Sequence, residues 1–305
     1  MILIVTHKND FTADFLINKL NNSHVSYRRL NCEDILKQPY KFNINKGLYY
    51  EFLGEQKYTA VWFRRTKLPD FSDLLHYEKL YLLNETESFL KGLFTIIDAK
   101  WLSDPFAVYK AEYKLLQLRT AESVGFTIPN TLITNSKEDL LEFYEQCDRN
   151  IIIKPIGQTR LTQKDSIQFI YTNKLTPDLL EEISQYDLTP CIYQANIEKD
   201  YELRITVVEN KVFAASIDSQ VDPDTITDWR RKSKAFVKIE IPQEVELMCV
   251  NLLKALNLKF GAIDMVKTKS GKYIFLEINP NGQWAWIESE TNLQISEAII
   301  DFLQA

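Results

Sequence analysis

Two apolar runs near the end of the chain, residues 260–268 and 272–279, each carry one acid. The second adds an asparagine two positions after its glutamate. The link at Ser270-Gly271 reads as a turn, so the runs are expected to pair as neighbouring strands. Side chains alternate faces along a strand, which places Glu277 and Asn279 together with Phe275 in register, and Leu276 and Ile278 opposite. If Asp264 shares the first face, three oxygen donors converge on one spot. Oxygen-only sets suit magnesium, which keeps part of its water shell and shares its remaining positions with phosphates. A nucleotide-dependent enzyme is the expectation.

The rest of the chain narrows the class. Its 305 residues, 45% apolar and 26% charged, can bury a large core in two or three lobes. No apolar run reaches the roughly 20 residues needed to cross a bilayer. The opening Met1-Ile2-Leu3-Ile4-Val5-Thr6-His7 lacks a basic segment and a cleavage site, so a first buried strand is expected rather than a secretory signal. Cys32, Cys147, Cys191 and Cys249 form no CxxC pair, which argues against zinc and a disulfide framework and for a reducing cytoplasm. The net charge of −6 disfavours broad nucleic-acid binding. With only 8 glycines, the chain is expected to hold phosphates through side chains rather than a Gly-rich loop.

An α+β organisation in three units is expected: residues 1–103, 104–190 and 191–305. The first alternates strands (2–6, 26–30) and helices (12–21, 71–91), with a hairpin between 48–53 and 59–63 turning at Gly54. The second opens after Ser103-Asp104-Pro105, where proline suits a first helical turn. It continues with a helix over 106–123, a strand after Pro129, a helix capped by Ser136, and a hairpin spanning 151–171 around a polar turn at 157–165. The third holds strands 192–197, 203–208 and 212–217, a polar loop at 222–233, a helix over 243–256, the acid-bearing pair, and a last helix over 294–303.

Three constellations carry chemistry. Lys154 ends a buried strand, where an ammonium is costly unless it meets an anion; a phosphate ligand and a solvated strand end weigh about equally. The connection Gln194 to Arg204 has no glycine or proline, so its backbone can present an edge to a planar base. Glu202 could hold ribose hydroxyls and Arg204 could neutralise phosphate oxygens. Taken alone, it is an ordinary charged connection. The Asp264, Glu277 and Asn279 set is sharper, because oxygens ending an apolar strand need a cation or donors.

The ordered set Lys114, Lys154, Gln194–Glu202, Arg204, Asp264, Glu277 and Asn279 resembles the ATP-grasp superfamily, and within it the peptide-modifying ligases that make graspetides. The more specific pieces are Trp62-Phe63-Arg64-Arg65, Lys114-Leu115-Leu116-Gln117-Leu118 before Gly125, and Gly282-Gln283-Trp284-Ala285-Trp286-Ile287-Glu288. The resemblance spans nearly the whole chain. It implies a three-lobed ATP-grasp fold with the nucleotide between the central and C-terminal lobes. It further implies that Lys114 and Lys154 contact ATP phosphates, and that Gln194, Ala195 and Ile197 meet the adenine, the latter two through backbone groups. Glu202 is implied on the ribose and Asp264, Glu277 and Asn279 on Mg2+. Arg204 would balance charge in catalysis, together with Arg230 or Arg231. One departure is the segment 156–164, which carries only Gly157 where many members have a Gly-rich flap.

The implied activity is a ligase that turns Asp or Glu side chains of a precursor peptide into acyl phosphates and joins them to Ser, Thr or Lys side chains, as ω-ester or ω-amide rings. A homodimer without membrane or nucleic-acid partners is implied too. Arg64 and Arg65 are read either as a solvated strand end or as a cationic rim suited to an acidic core peptide or to a subunit contact. His7, His24 and His76 are isolated and carry no catalytic expectation. Two alternatives stand beside this reading: a ligase adding a free amino acid to a carboxylate, and a non-catalytic nucleotide-binding module.

Overall fold

Every position of β1 (Ile2–Thr6) is buried, and so is every position of β5 (Ala60–Phe63). Strands apolar on both faces belong inside a parallel sheet covered on two sides. The first sheet is that arrangement, with order β2-β1-β5-β6, all parallel, where β2 is Tyr27–Asn31 and β6 is Lys100–Leu102. Helix α1 (Phe11–Asn22) follows β1 and is capped by Asp10, whose carboxylate accepts from the amides of Thr12 and Ala13. β3 (Tyr40–Ile44) and β4 (Leu48–Phe52) pair with each other, and α2 (His76–Ile96) leads to β6. The computed structural model describes the chain apart from residues 158–159, 164–165, 183–189 and 221–234; at 160–163 and 166–169 it describes the backbone alone.

Two short helices follow, α3 (Pro105–Ala111) and α4 (Lys114–Ser123). The central sheet has order β11-β8-β12-β7, with β7 (Thr131–Leu132), β8 (Ile151–Pro155), β11 (Asn173–Lys174) and β12 (Cys191–Ala195). It packs on α5 (Lys137–Gln146), burying Leu140, Phe143, Ile151 and Tyr193 in a small core of its own. β9 (Arg160–Gln163) and β10 (Ser166–Phe169) form a separate antiparallel hairpin, and α6 (Pro177–Glu181) follows β11. The third sheet is antiparallel, order β15-β14-β13-β16-β17. Its strands are β13 (Tyr201–Val208), β14 (Lys211–Ile217), β15 (Val237–Lys238), β16 (Phe260–Lys267) and β17 (Tyr273–Asn279), with α7 (Gln243–Ala255), α8 (Ala285–Thr291) and α9 (Ile295–Gln304).

The first and third units share their cores. Leu3, Val61 and Phe63 pack in one cluster with Leu203, Ile263 and Phe275. From the opposite face of the same strands, Ile4 and Trp62 pack with Trp284, Ile287 and Ile299. Strand alternation thus lets β1 and β5 serve two cores at once. The central sheet stands apart from both clusters, so a cleft opens between it and the third sheet.

Several expectations need correction. The 48–53 and 59–63 segments do not form a hairpin: β4 folds back on β3, and β5, too apolar for an exposed ribbon, enters the parallel sheet. The long helix begins at His76 rather than 71, leaving Leu74 and Leu75 exposed and burying Leu90, Leu93 and Phe94. The helix over 106–123 is broken at Glu112-Tyr113 into α3 and α4. The 151–171 hairpin is not formed either, because β8 pairs with β12 and β11 while the polar turn itself contributes β9. β12, expected to open the third unit, is a central strand of the middle sheet. The loop expected at 222–233 lies outside the described residues. No described helix is long and apolar enough to cross a membrane.

Candidate active site

The site is assembled on three adjacent strands. Arg204 of β13 lies directly across from Asp264 of β16, and Asp264 directly across from Glu277 of β17. Between Asp264 and Met265 the register shifts: Met265 pairs with Phe275, leaving Leu276 as an extra residue. This bulge overturns the simple alternation expected from sequence. Phe275 joins Ile278 in the buried core, whereas Leu276 turns to the cleft beside Glu277. Glu277 and Asn279 do share a face with Asp264, since the shift lies beyond them.

The acids are held by cations from two directions. One Arg204 nitrogen donates to both oxygens of Asp264, at 2.7 and 2.8 Å. Lys114, the first residue of α4, places its Nζ 2.6 Å from Glu277 Oε2. The Asn279 amide reaches Asp264 at 3.2 Å and Glu277 at 3.4 Å. Lys154, on β8 of the opposing sheet, faces the same space. These groups line a cleft of about 890 Å³ together with Arg65, Glu112 and Trp286.

A second pocket adjoins the cleft and shares Lys154, Thr172, Asp264 and Glu277 with it. Here lie Gln194, Ala195, Ile197 and Glu202. Gln194 is buried and donates to the Thr131 hydroxyl at 2.8 Å. The Ala195 amide is taken by the Asn130 carbonyl at 2.9 Å, so the group a base could meet there is the Ala195 carbonyl. Burial pushes the Glu202 carboxyl above its ordinary value; Lys199 and the Ser219 hydroxyl pull it back, and Asp264 adds to the rise. Lys199, 2.8 Å from Glu202 and itself buried, was not singled out in the sequence. Only its spacing of three from Glu202 could have hinted at the pair.

The two arginines of Trp62-Phe63-Arg64-Arg65 part company. Arg64 is fully buried, so it is no part of a cationic rim. It sits 3.3 Å from Asp10 and donates to the carbonyls of Asn281 and Gly282, at 3.2 Å each. Arg65 is exposed and lines the cleft. The run after Asn279 is likewise anchored in the first lobe: Thr12 donates to Gln283, and Phe15 meets buried Trp284 edge-on at 5.8 Å. A Cβ on Gly282 would come within 2.3 Å of the Ala262 Cβ and 2.8 Å of an Arg204 nitrogen, so only glycine fits. Arg230 and Arg231 lie outside the described residues.

The donor set fits magnesium. Two carboxylates face one space with the Asn279 carboxamide between them; its nitrogen meets both acids, and its oxygen would turn to them only with a cation bound. Four cationic side chains around the same space, Arg65, Lys114, Lys154 and Arg204, suit polyphosphate.

The RimK-like ATP-grasp domain matches residues 111–303, which contain Lys114, Lys154, Arg204 and the whole acid-bearing hairpin. The chain belongs to the RimK-like ATP-grasp family. Its ATP-grasp fold, expected from the ordered lysines and acids, is thereby established. A RiPP-associated ATP-grasp ligase from Chryseobacterium gregarium, solved with ADP and a leader and core peptide, matches with a TM-score of 0.89 at 29% identity, covering 99% of this chain and 96% of that one. The macrocyclase MdnC from Microcystis aeruginosa MRC, bound with precursor peptide MdnA, matches at 0.87 and 28% identity, over 100% and 99%. A probable alpha-L-glutamate ligase from Histophilus somni (strain 2336) is 22% identical over 201 residues, which is 65% of this chain and 65% of that relative. The likeness to the two solved ligases therefore includes the first lobe of this ATP-grasp chain.

Proposed function

We propose that this chain is an ATP-dependent ligase that closes rings within a ribosomally made precursor peptide. The observation that carries the reading is the convergence of Lys114, Lys154, Arg204, Asp264, Glu277 and Asn279 on one cleft. The full-length likeness to ligases solved with precursor peptides supports the substrate class. Lys114 and Lys154 bind the phosphates of ATP. The adjoining pocket takes the nucleoside, with Gln194 and the Ala195 and Ile197 backbone at the base and Glu202 at the ribose. Asp264, Glu277 and Asn279 would hold magnesium, which when bound supplies charge neutralisation around the transferring phosphoryl group.

A carboxylate is a poor electrophile. An Asp or Glu oxygen of the peptide attacks the γ-phosphorus, the bond to the β-phosphate oxygen breaks, and ADP leaves. Arg204, with Arg230 or Arg231, offsets the charge that builds on the transferred group. A Ser or Thr hydroxyl or a Lys amine then attacks the acyl carbon, giving up a proton as phosphate departs. With both groups on one bound chain, this second step is effectively unimolecular. Arg65, at the cleft wall, suits an acidic core segment.

The same reading has the enzyme act as a homodimer in a cytoplasm. The four free cysteines fit a reducing compartment, and burial pushes the Cys32 and Cys249 thiols up to about 12, leaving them inert.

The test is incubation with a neighbouring acidic, Ser/Thr-rich peptide, ATP and magnesium. Loss of one water per ring, with ADP and phosphate formed, is expected. A mass gain on addition of a free amino acid would instead support the glutamate-ligase-like alternative, which the Histophilus somni relative motivates. ATP binding without any phosphate release would leave only a binding module.

A further inference from the structure

β17 is the last strand of its sheet, so one edge of its backbone has no strand neighbour. Unpaired N–H and C=O groups on a buried edge are costly and must find partners. On this edge the Phe275 amide donates to the Thr127 carbonyl at 2.9 Å. Further along, a side chain takes over the part of the missing strand. The Gln117 carboxamide accepts from the Ile278 amide at 3.2 Å and donates to the Ile278 carbonyl at 2.8 Å. The same nitrogen also donates to the Ala111 carbonyl at 2.6 Å, at the end of α3.

Ile278 is the residue between Glu277 and Asn279. Its peptide groups therefore set the directions in which both oxygen donors leave the strand. Gln117 is 1% exposed and one turn after Lys114, the lysine that meets Glu277. Its helix presents Gln117, Leu118 and Ala121 as the buried face. A glutamine on that face serves packing poorly, because burying an amide is costly unless all its bonds are made. Here the carboxamide makes one bond as acceptor and two as donor, which also fixes which end is oxygen.

We propose that Gln117 is a positioning residue for the divalent cation. It mimics a neighbouring strand and locks the backbone between the two ligands, while tying α4 and its Lys114 to the same register. Although Gln117 borders the cleft, its carboxamide is engaged by three backbone groups, so it acts through the strand and not as a ligand. This inference rests on the nucleotide and magnesium reading of the cleft.

The experiment measures Mn2+ binding in the presence of ADP, and ADP binding without metal, on the full chain. Gln117→Met keeps the length and removes the three hydrogen bonds. Ala121→Gly weakens the same helix on the same buried face without touching Ile278, and serves as the structural control. Expected is a loss of about tenfold or more in Mn2+ affinity for Gln117→Met, the range typical of groups that orient metal ligands, with ADP affinity within about twofold of wild type. Ala121→Gly should move both by less than about twofold. Gln117→Met binding Mn2+ like wild type would overturn the inference, as would a loss matched by Ala121→Gly. Wild-type protein that binds neither ADP nor Mn2+ would overturn the reading of the cleft, and this inference with it.

Discussion

Arg64 reaches Gly282 from another lobe: its guanidinium donates to the Gly282 carbonyl, and to that of Asn281, at 3.2 Å each. Its other side lies 3.3 Å from Asp10, whose carboxylate also accepts from Thr6 at 2.8 Å and caps α1. The first lobe thereby grips the segment that directly follows the acid-bearing strand.

Replacing Arg64 with leucine leaves a buried carboxylate unpaired and two buried carbonyls without their donor. A cost of about 3–5 kcal/mol is expected, the usual range when one partner of a buried pair is removed. Urea unfolding checks it. Arg64→Lys should recover only part, because one ammonium cannot span both Asp10 and the two carbonyls.

Acid should reveal the same pair. Burial alone would raise the Asp10 carboxyl, but Arg64 and the Thr6 hydroxyl hold it, on balance, below its ordinary 3.8. A carboxyl depressed in the folded state stabilises that state above its unfolded pKa, and the contribution is lost as pH falls through the folded one. The stability gap between wild type and Asp10→Asn should be full at neutral pH and narrow below pH 3.8. A gap that stays constant across that range in denaturant titrations would contradict the assignment.

Gly282→Ala should be harmful beyond its size. The new methyl would sit 2.3 Å from the Ala262 Cβ and 2.8 Å from Arg204, so the loop or the arginine must move. Overpacking of this kind costs about 1–3 kcal/mol. Since Arg204 holds Asp264, turnover should fall more steeply than stability. Parallel melting and steady-state measurements separate the two effects.

Glu277→Ala should abolish peptide-dependent ADP formation, by about a hundredfold or more, while barely moving the melting temperature. The Lys114 ammonium it leaves behind is 20% exposed and can be rehydrated. Full activity in this variant would remove Glu277 from the metal site.

Nucleotide binding should carry the signature of Glu202. Burial raises its pKa above 4.5, so mild acid protonates it and removes an acceptor for ribose hydroxyls. In wild type, ADP affinity is expected to weaken as pH is lowered from neutral, at a higher pH than an ordinary carboxylate would dictate. Glu202→Gln should bind more weakly at neutral pH and show a flatter profile, read by calorimetry.

The linear pattern of this chain was enough for the acid-bearing hairpin, the two lysines and the family they point to. Period-two alternation, a turn between two apolar runs, and the residue types that suit phosphate and magnesium are all local or ordered features. Other facts depended on which strands became neighbours. The Leu276 bulge flips side chains only because β16 fixes a register that β17 cannot follow with perfect alternation. Arg64 reads in sequence as a charged strand end, and only the packing of the first lobe on the third turns it inward to meet carbonyls more than 200 positions away. Gln117 looks like one more polar residue on a helix until an open strand edge is laid against it. Local periodicity is written residue by residue, whereas the burial of a charge or an amide depends on partners that the fold alone brings within bonding distance.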